Sequence, residues 1–123
     1  MILLDVFEPK ELERLLLQSA KVNRIALNSA GFADVMFEAK DGHRIQIENK
    51  QAEELLGAGL NGVEEQLRRQ VNHAEESMLL IRGIVVPDAD GCQVYRKSTS
   101  GQIFHKSRKY KRTNYSGYRA WCW

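Results

Sequence analysis

The sequence predicts an α/β protein, a sandwich in which helices flank a mixed central sheet. Three observations carry that reading. Leu12, Leu15 and Leu16 recur at helical spacing just after Pro9. Two alternating segments flank Lys40-Asp41-Gly42-His43, and Asp-Gly is a strong short-range hairpin signal. Residues 78–86 form a mostly apolar, β-branched run, the pattern of a central strand buried on both faces.

The elements follow in order. Residues 2–6 are a short apolar strand. Glu8-Pro9 opens a helix, since proline is favoured in a first turn, and Leu12, Leu15 and Leu16, with Leu17 beside them, supply its buried face. Residues 21–27 alternate through Val22, Ile25 and Leu27 as a strand, and Asn28-Ser29-Ala30-Gly31 is a turn. Residues 33–39 and 43–50 are the arms of the hairpin. Side chains two apart share a face of a strand, so Gln46, Glu48 and Lys50 point one way while Ile45 and Ile47 point into the core. Residues 51–56 form a short helical turn broken by Gly57-Ala58-Gly59. Asn61 caps a longer helix that ends near Glu76, with Val63, Leu67 and Val71 inside. The resulting order is β-α-β-β-β-α-β.

Beyond Pro87 the pattern changes, which divides the chain into a core over 1–86 and a basic, aromatic-rich extension over 87–123. Residues 91–97 and 102–106 pair around Ser98-Thr99-Ser100-Gly101 as a basic ribbon, and 107–112 are a charge run. Ser116 is the expected N-cap of an amphipathic helix that runs into Trp121-Cys122-Trp123. That last segment reads either as a natural end or as the start of further core elements of a larger protein.

A chain of 123 residues is long enough for one domain with one core. No apolar run approaches the roughly 18 residues of a membrane span, and no basic, signal-like segment follows Met1. Cys92 and Cys122 form no metal-ligand pattern and read as free thiols, and the scattered His43, His73 and His105 make a zinc site improbable. An intracellular protein of the cytoplasm, nucleoid or nucleus is expected, with no membrane partner and no small-molecule organic cofactor. The net charge of +2 divides unevenly, with −4 over residues 1–84 and +6 over residues 85–123. Seven of the ten aromatic residues also lie in that basic last third. Cations neutralise phosphates and aromatic rings stack on unpaired bases, so the extension is a candidate grip on nucleic acid. Its expected contacts are Arg96, Lys97, Lys106, Arg108, Lys109, Lys111 and Arg112, joined by Arg68 and Arg69 of the second long helix.

The chemistry-bearing pattern is Asp34, thirteen residues, then Ile47-Glu48-Asn49-Lys50. The hairpin sets the strand of Asp34 beside that of Glu48. Two carboxylates on neighbouring strands offer hard oxygen ligands to Mg²⁺ or Mn²⁺. A bound divalent ion neutralises phosphate oxygens and acidifies water, and a lysine beside it adds a compact positive charge. The arrangement suits phosphodiester hydrolysis. A plainer reading is also open, in which Asp34 is a strand-end residue and Glu48 and Lys50 form an exposed salt pair.

Several segments together resemble the XPF-type structure-specific nuclease domain of the PD-(D/E)XK superfamily. Asp5-Val6-Phe7-Glu8-Pro9 is similar to its opening Asp-x-Arg-Glu. Gly31-Phe32-Ala33-Asp34 is similar to its Gly-Asp strand. Ile47-Glu48-Asn49-Lys50 with Glu54 resembles its Glu-Arg-Lys-x-x-x-Asp signature. Gly62-Val63-Glu64-Glu65-Gln66-Leu67 and Met78-Leu79-Leu80-Ile81-Arg82-Gly83 resemble its helix and following strand. The likeness covers about residues 2–86, and its specificity lies in the order of the five elements.

The resemblance implies a restriction-endonuclease-like three-layer α-β-α sandwich. It also implies a Mg²⁺- or Mn²⁺-dependent endonuclease acting on DNA, branched or flapped, in repair or recombination, as a homodimer or heterodimer. Asp34 and Glu48 would be metal ligands and Asn49 would lend its backbone carbonyl. Lys50 would orient the attacking water, and Gln66 would help fix the water or the metal shell. Asp5, Glu8 and Glu54 would be outer acidic members.

The chain departs from the family at several points. Phe7 and Asn49 stand where the family has arginine, Glu54 where it has aspartate, and Phe32-Ala33 separates Gly31 from Asp34. No helix-hairpin-helix module is seen within these residues. Two other functions remain open: a catalytically inactive DNA-binding or scaffolding domain of the same fold, and a protein-interaction domain with a basic tail.

Overall fold

A computed structural model describes residues 1–97, 104–111 and 113–123. It is mixed α/β, with one sheet of five strands and one of three. Contacts divide the chain into two compact units. One comprises residues 1–49 and 65–80, the other residues 50–64 and 81–123.

The first unit is built on the five-stranded sheet. In chain order its strands are β1 (Ile2–Asp5), β2 (Val22–Ile25), β3 (Val35–Glu38), β4 (Arg44–Gln51) and β5 (Glu76–Arg82). They stand side by side as β2-β1-β3-β4-β5. β1 runs parallel to β2 and antiparallel to β3, and β3 runs antiparallel to β4. The expected hairpin forms. Its turn is closed by bonds from Ala39 N–H to the His43 carbonyl (2.8 Å) and from Gly42 N–H to the Ala39 carbonyl (3.0 Å). The helix α1 (Lys10–Leu17) follows Pro9. No residue of α1 is fully buried: Leu12 and Leu16 are half-buried, while Leu15 and Leu17 are exposed. The spacing identified the right helix, but only two of its leucines turn inward.

Two further expectations are corrected in this unit. On β4 the buried side chains are Gln46, Glu48 and Asn49, while Ile45 and Ile47 are half-buried. Alternation fixes which residues share a face, but the covering elements decide which face is closed. The helix α3 (Leu60–Gln70) lies over the polar side, as its bonds to Glu48 and Gln46 show. Asn61 sits in the first turn of α3 and is not its cap. The helix passes into a 3-10 turn over Val71–His73, where Val71 is exposed.

The run 78–86 is not one central strand. β5 is the edge strand of its sheet, and Met78 and Leu80 are exposed. The chain breaks at Gly83, whose φ of 126° suits glycine alone, and the next strand belongs to the other sheet.

The second unit carries β6 (Ile84–Asp88), β7 (Gly91–Lys97) and β8 (Phe104–Tyr110), an antiparallel meander with β7 in the middle. The ribbon expected of residues 91–97 and 102–106 corresponds to β7 and β8, but its second arm extends through Tyr110 and so takes in residues 107–110 of the expected charge run, and β6 extends it through a two-residue turn at Ala89-Asp90. Residues 98–103 lie outside the described residues. Gly91 packs so close to β8 that a Cβ there would collide with the Tyr110 carbonyl oxygen. The helix α2 (Ala52–Ala58) sets Ala52 and Leu56 against Cys92 and Val94 to make a small apolar core. Ile81, Val85, Tyr110, Tyr115 and Tyr118 pack around it. The last helix, α4 (Tyr115–Cys122), is capped by Asn114, whose Oδ1 accepts from Gly117 N–H at 2.7 Å. The cap is Asn114 and not Ser116, because the helix starts two residues earlier than the sequence pattern implied.

Candidate active site

Strand register brings three carboxylates into one row of the first unit. Val35 pairs with Ile47, so Asp34 and Glu48 occupy the next position along the same ladder. Leu4 pairs with Val35, and Asp5 N–H donates to the Asp34 carbonyl at 2.8 Å. Asp5, Asp34 and Glu48 therefore follow one another across β1, β3 and β4. All three are buried, Asp34 at 5% and Glu48 at 3% exposure.

Each carboxylate is held differently. Asp5 accepts from the backbone N–H groups of Phe7 (Oδ2, 3.1 Å) and Asn28 (Oδ1, 2.9 Å). It clips two loops together, and that is structural work. Asp34 Oδ2 accepts the N–H of Asn49 at 2.8 Å. Glu48 receives two amides from α3: Gln66 Nε2 donates to Oε1 at 3.0 Å and Gln70 Nε2 donates to Oε2 at 2.9 Å. Gln66 and Gln70 are four residues apart and share a helix face, which is why both reach one carboxylate.

Behind this row lies a fully buried amide. Gln46, 1% exposed, accepts from Ala33 N–H (3.1 Å) and donates to the Gln70 carbonyl (2.6 Å) and to Ser77 Oγ (2.9 Å). It ties the residue before Asp34, the helix turn that holds Glu48, and β5 into one network. A buried amide with partners at both ends avoids the cost of an unmet polar group.

The remaining expected residues are placed as follows. Glu8 Oε2 accepts from Asn49 Nδ2 at 2.9 Å, which joins the segment before α1 to the centre. Lys50 is half-buried and lies two residues beyond Glu48 in β4, within the second unit. Glu54 is exposed on α2 of that unit. Arg68 and Arg69 are exposed on α3. Lys109 and Lys111 are exposed in the second unit, and Lys109 Nζ faces Asp88 Oδ2 at 3.7 Å. Arg112 and the side chains of Arg96, Lys97, Lys106 and Arg108 lie outside the described residues.

Gln46 and Gln70 were not among the expected site residues. Gln70 is four residues after Gln66, a helical repeat visible in the sequence. Gln46 shares a strand face with Glu48, which was also visible, but its burial depends on α3.

Three groups have shifted acid–base behaviour with a clear cause. The Arg44 backbone N–H, bonded to Glu75, holds that carboxyl below its ordinary value. Burial pushes the Cys92 thiol up, and the thiol donates to the Thr113 carbonyl. Burial, with Cys122 next in weight, pushes Tyr118 up to about 12.

The donor set of Asp34, Glu48 and the Asn49 carbonyl is all hard oxygen, the ligand class of Mg²⁺ and Mn²⁺. Its chemistry fits such an ion, while the count of acidic ligands is small. Among the described residues no group of three or more His, Cys, Asp or Glu stands together as a metal site. No helix among them is long and apolar enough to cross a membrane. No protein-family model, curated protein or solved structure matches this chain.

Proposed function

We propose that this chain is a metal-dependent endonuclease of the XPF type that hydrolyses DNA phosphodiester bonds, with branched or flapped DNA as its substrate. The scaffold in this reading is a restriction-endonuclease-like three-layer sandwich, and the mixed five-stranded sheet supports it at the level of the α/β class. The observation that carries the reading is the ladder position shared by Asp34 and Glu48, with Glu48 gripped by two amides of α3.

Asp34, Glu48 and the Asn49 carbonyl would hold Mg²⁺ or Mn²⁺. Such an ion, when bound, supplies charge neutralisation at the phosphate and a more acidic water. The chain's own residues do the rest. Gln66 and Gln70 hold the Glu48 carboxylate in one orientation, and the Asn49 N–H does the same for Asp34. Preorganised groups cost no rearrangement when charge develops. Lys50 brings a compact ammonium to the attacking water or the scissile phosphate. Arg68, Arg69 and the cations of the second unit contribute sequence-independent attraction to the DNA backbone.

A second reading is favoured by one observation. Both oxygens of Glu48 already accept amide hydrogens, and no third acidic ligand joins the pair among the described residues. A catalytically silent DNA-binding or scaffolding domain would have such a centre.

The test is cleavage of labelled duplex, single-stranded, flap and four-way-junction DNA with Mg²⁺, Mn²⁺ or EDTA. Cutting that requires metal is the expected result. DNA binding without cutting by a folded protein would favour the silent domain, and a protein that does neither would end both readings.

A further inference from the structure

Rows of side chains cross β1, β3 and β4 on the face that carries Asp5, Asp34 and Glu48. Side chains two apart share a face of a strand, and so do directly paired residues of neighbouring strands. The next row is therefore Leu3, Met36 and Gln46, since Leu3 pairs with Met36 and Met36 with Gln46. The row after it holds Glu38 and Arg44, which pair with each other. These two rows border a cavity of about 360 Å³, lined by Met1, Leu3, Met36, Phe37, Glu38 and Arg44. That volume is in the range of small-molecule sites. All six residues belong to the first unit. Half-buried Leu3 and buried Met36 supply an apolar floor. Met1 lies beside them, and its Sδ accepts from Asn23 Nδ2 at 2.9 Å. Methionines adapt their shape to what they cover. Glu38 and Arg44 are exposed and bring a carboxylate and a guanidinium to the same space. The guanidinium is a fork of several donors, of which Nη1 reaches the His73 carbonyl at a long 3.5 Å.

We propose that this cavity binds a free apolar α-amino acid, of the leucine or methionine type, as its zwitterion. Such a molecule carries its ammonium and carboxylate on one carbon, so its two partners must be close neighbours of opposite charge. Glu38 and Arg44 meet that requirement, because directly paired residues have Cβ atoms about 4.5–5.5 Å apart. Glu38 accepts from the ammonium, Arg44 donates to the carboxylate, and the apolar side chain lies on Leu3, Met36 and Met1. A simple anion is opposed by Glu38, and a simple amine by Arg44. A peptide end carries one of the two charges and leaves the other partner unmet. The cavity shares no residue with the Asp34 and Glu48 centre, so its ligand is independent of the endonuclease reading.

The experiment labels the methionine methyl groups of the full chain for NMR and titrates it with L-leucine, glycine, leucinamide and N-acetyl-leucine. Leucine is expected to bind saturably, shifting the Met1 and Met36 signals and leaving that of Met78, on β5, in place. Glycine lacks the apolar side chain, leucinamide the carboxylate and N-acetyl-leucine the ammonium. Each should bind roughly 5- to 10-fold more weakly than leucine. Glu38→Gln and Arg44→Gln should each weaken leucine binding by a similar factor, with a urea midpoint to show that the fold is kept. The ligand series needs no variant, so it decides the matter even where one fails to fold. Three results overturn the inference: no saturable shift of Met1 and Met36 with leucine, binding of leucinamide or N-acetyl-leucine as tight as that of leucine, or unchanged leucine affinity in either folded variant.

Discussion

The unit of residues 1–49 and 65–80 buries Asp5, Asp34, Gln46, Glu48, Asn49 and Gln70 beside its apolar Leu4, Leu27, Ala33, Val35 and Met36, whereas the unit of residues 50–64 and 81–123 buries Ala52, Leu55, Leu56, Val63, Cys92 and Val94 with Gln93 as its buried polar side chain among the described residues. The second unit gains from water release and dispersion in the usual way. The first must satisfy every buried oxygen and amide to avoid a penalty, and apolar residues at those positions would be at least as stable. Departures of this kind from the simplest stable solution are expected where a protein does its work. The endonuclease reading proposed above places its centre among those buried polar groups of the first unit.

The largest structural effect is expected for Gln46→Ala. It strands the Ala33 N–H, the Gln70 carbonyl and the Ser77 hydroxyl, and the loss should be about 3–5 kcal/mol. Urea unfolding followed by a probe in the first unit would measure it. A loss below about 1 kcal/mol would mean that the network carries little of that unit's stability.

In the second unit the corresponding weak point is steric. Gly91→Ala drives a methyl group into the Tyr110 carbonyl, and the strands must part by a cost of about 2–4 kcal/mol. Thermal melts should fall accordingly, and an unchanged melt would contradict the close β7–β8 approach. Asn114→Ala removes the cap of α4, worth about 1 kcal/mol, with Asn114→Ser restoring most of it. Equal stability of the alanine variant and the parent would show that α4 contributes nothing to the fold.

The smallest effect is silent at neutral pH. Cys92 and Tyr118 are both harder to ionise in the folded second unit than in the unfolded chain. Their folded values lie above the unfolded ones, so the contribution is fully present below the unfolded values, about 8.5 for the thiol and about 10 for the phenol. It is lost as pH rises, for Tyr118 through its folded value of about 12. The second unit should therefore lose stability from about pH 8.5 upward. In the first unit Glu75, held low by the Arg44 backbone N–H, acts at acid pH instead. Denaturant midpoints across pH 7–11 that stay level for a second-unit probe would contradict the assignment.

Much of this arrangement is legible in the residues themselves. Asp41-Gly42 marks the hairpin, and the spacing from Asp34 to Glu48 places them at facing positions once that turn is known. The two-residue period also shows that Gln46 and Glu48 share a face. The sequence does not say which face is covered, because burial of Gln46 comes from α3, which is distant in the chain. The break at Gly83 was hidden for a related reason. A β-branched run with one glycine looks like a single strand, and only the pairing of β6 with β7 separates it from β5. Likewise Leu15 fits an amphipathic helix by spacing, yet it stays exposed because no element among the described residues covers it.

Most directly decisive is Mn²⁺ binding, followed by paramagnetic resonance or calorimetry, in the parent, Asp34→Asn and Glu48→Gln. An endonuclease centre at Asp34 and Glu48 predicts one saturable site in the parent that is lost in both variants while the fold persists. A folded parent that binds no Mn²⁺, or binds it equally well in all three proteins, would contradict that centre.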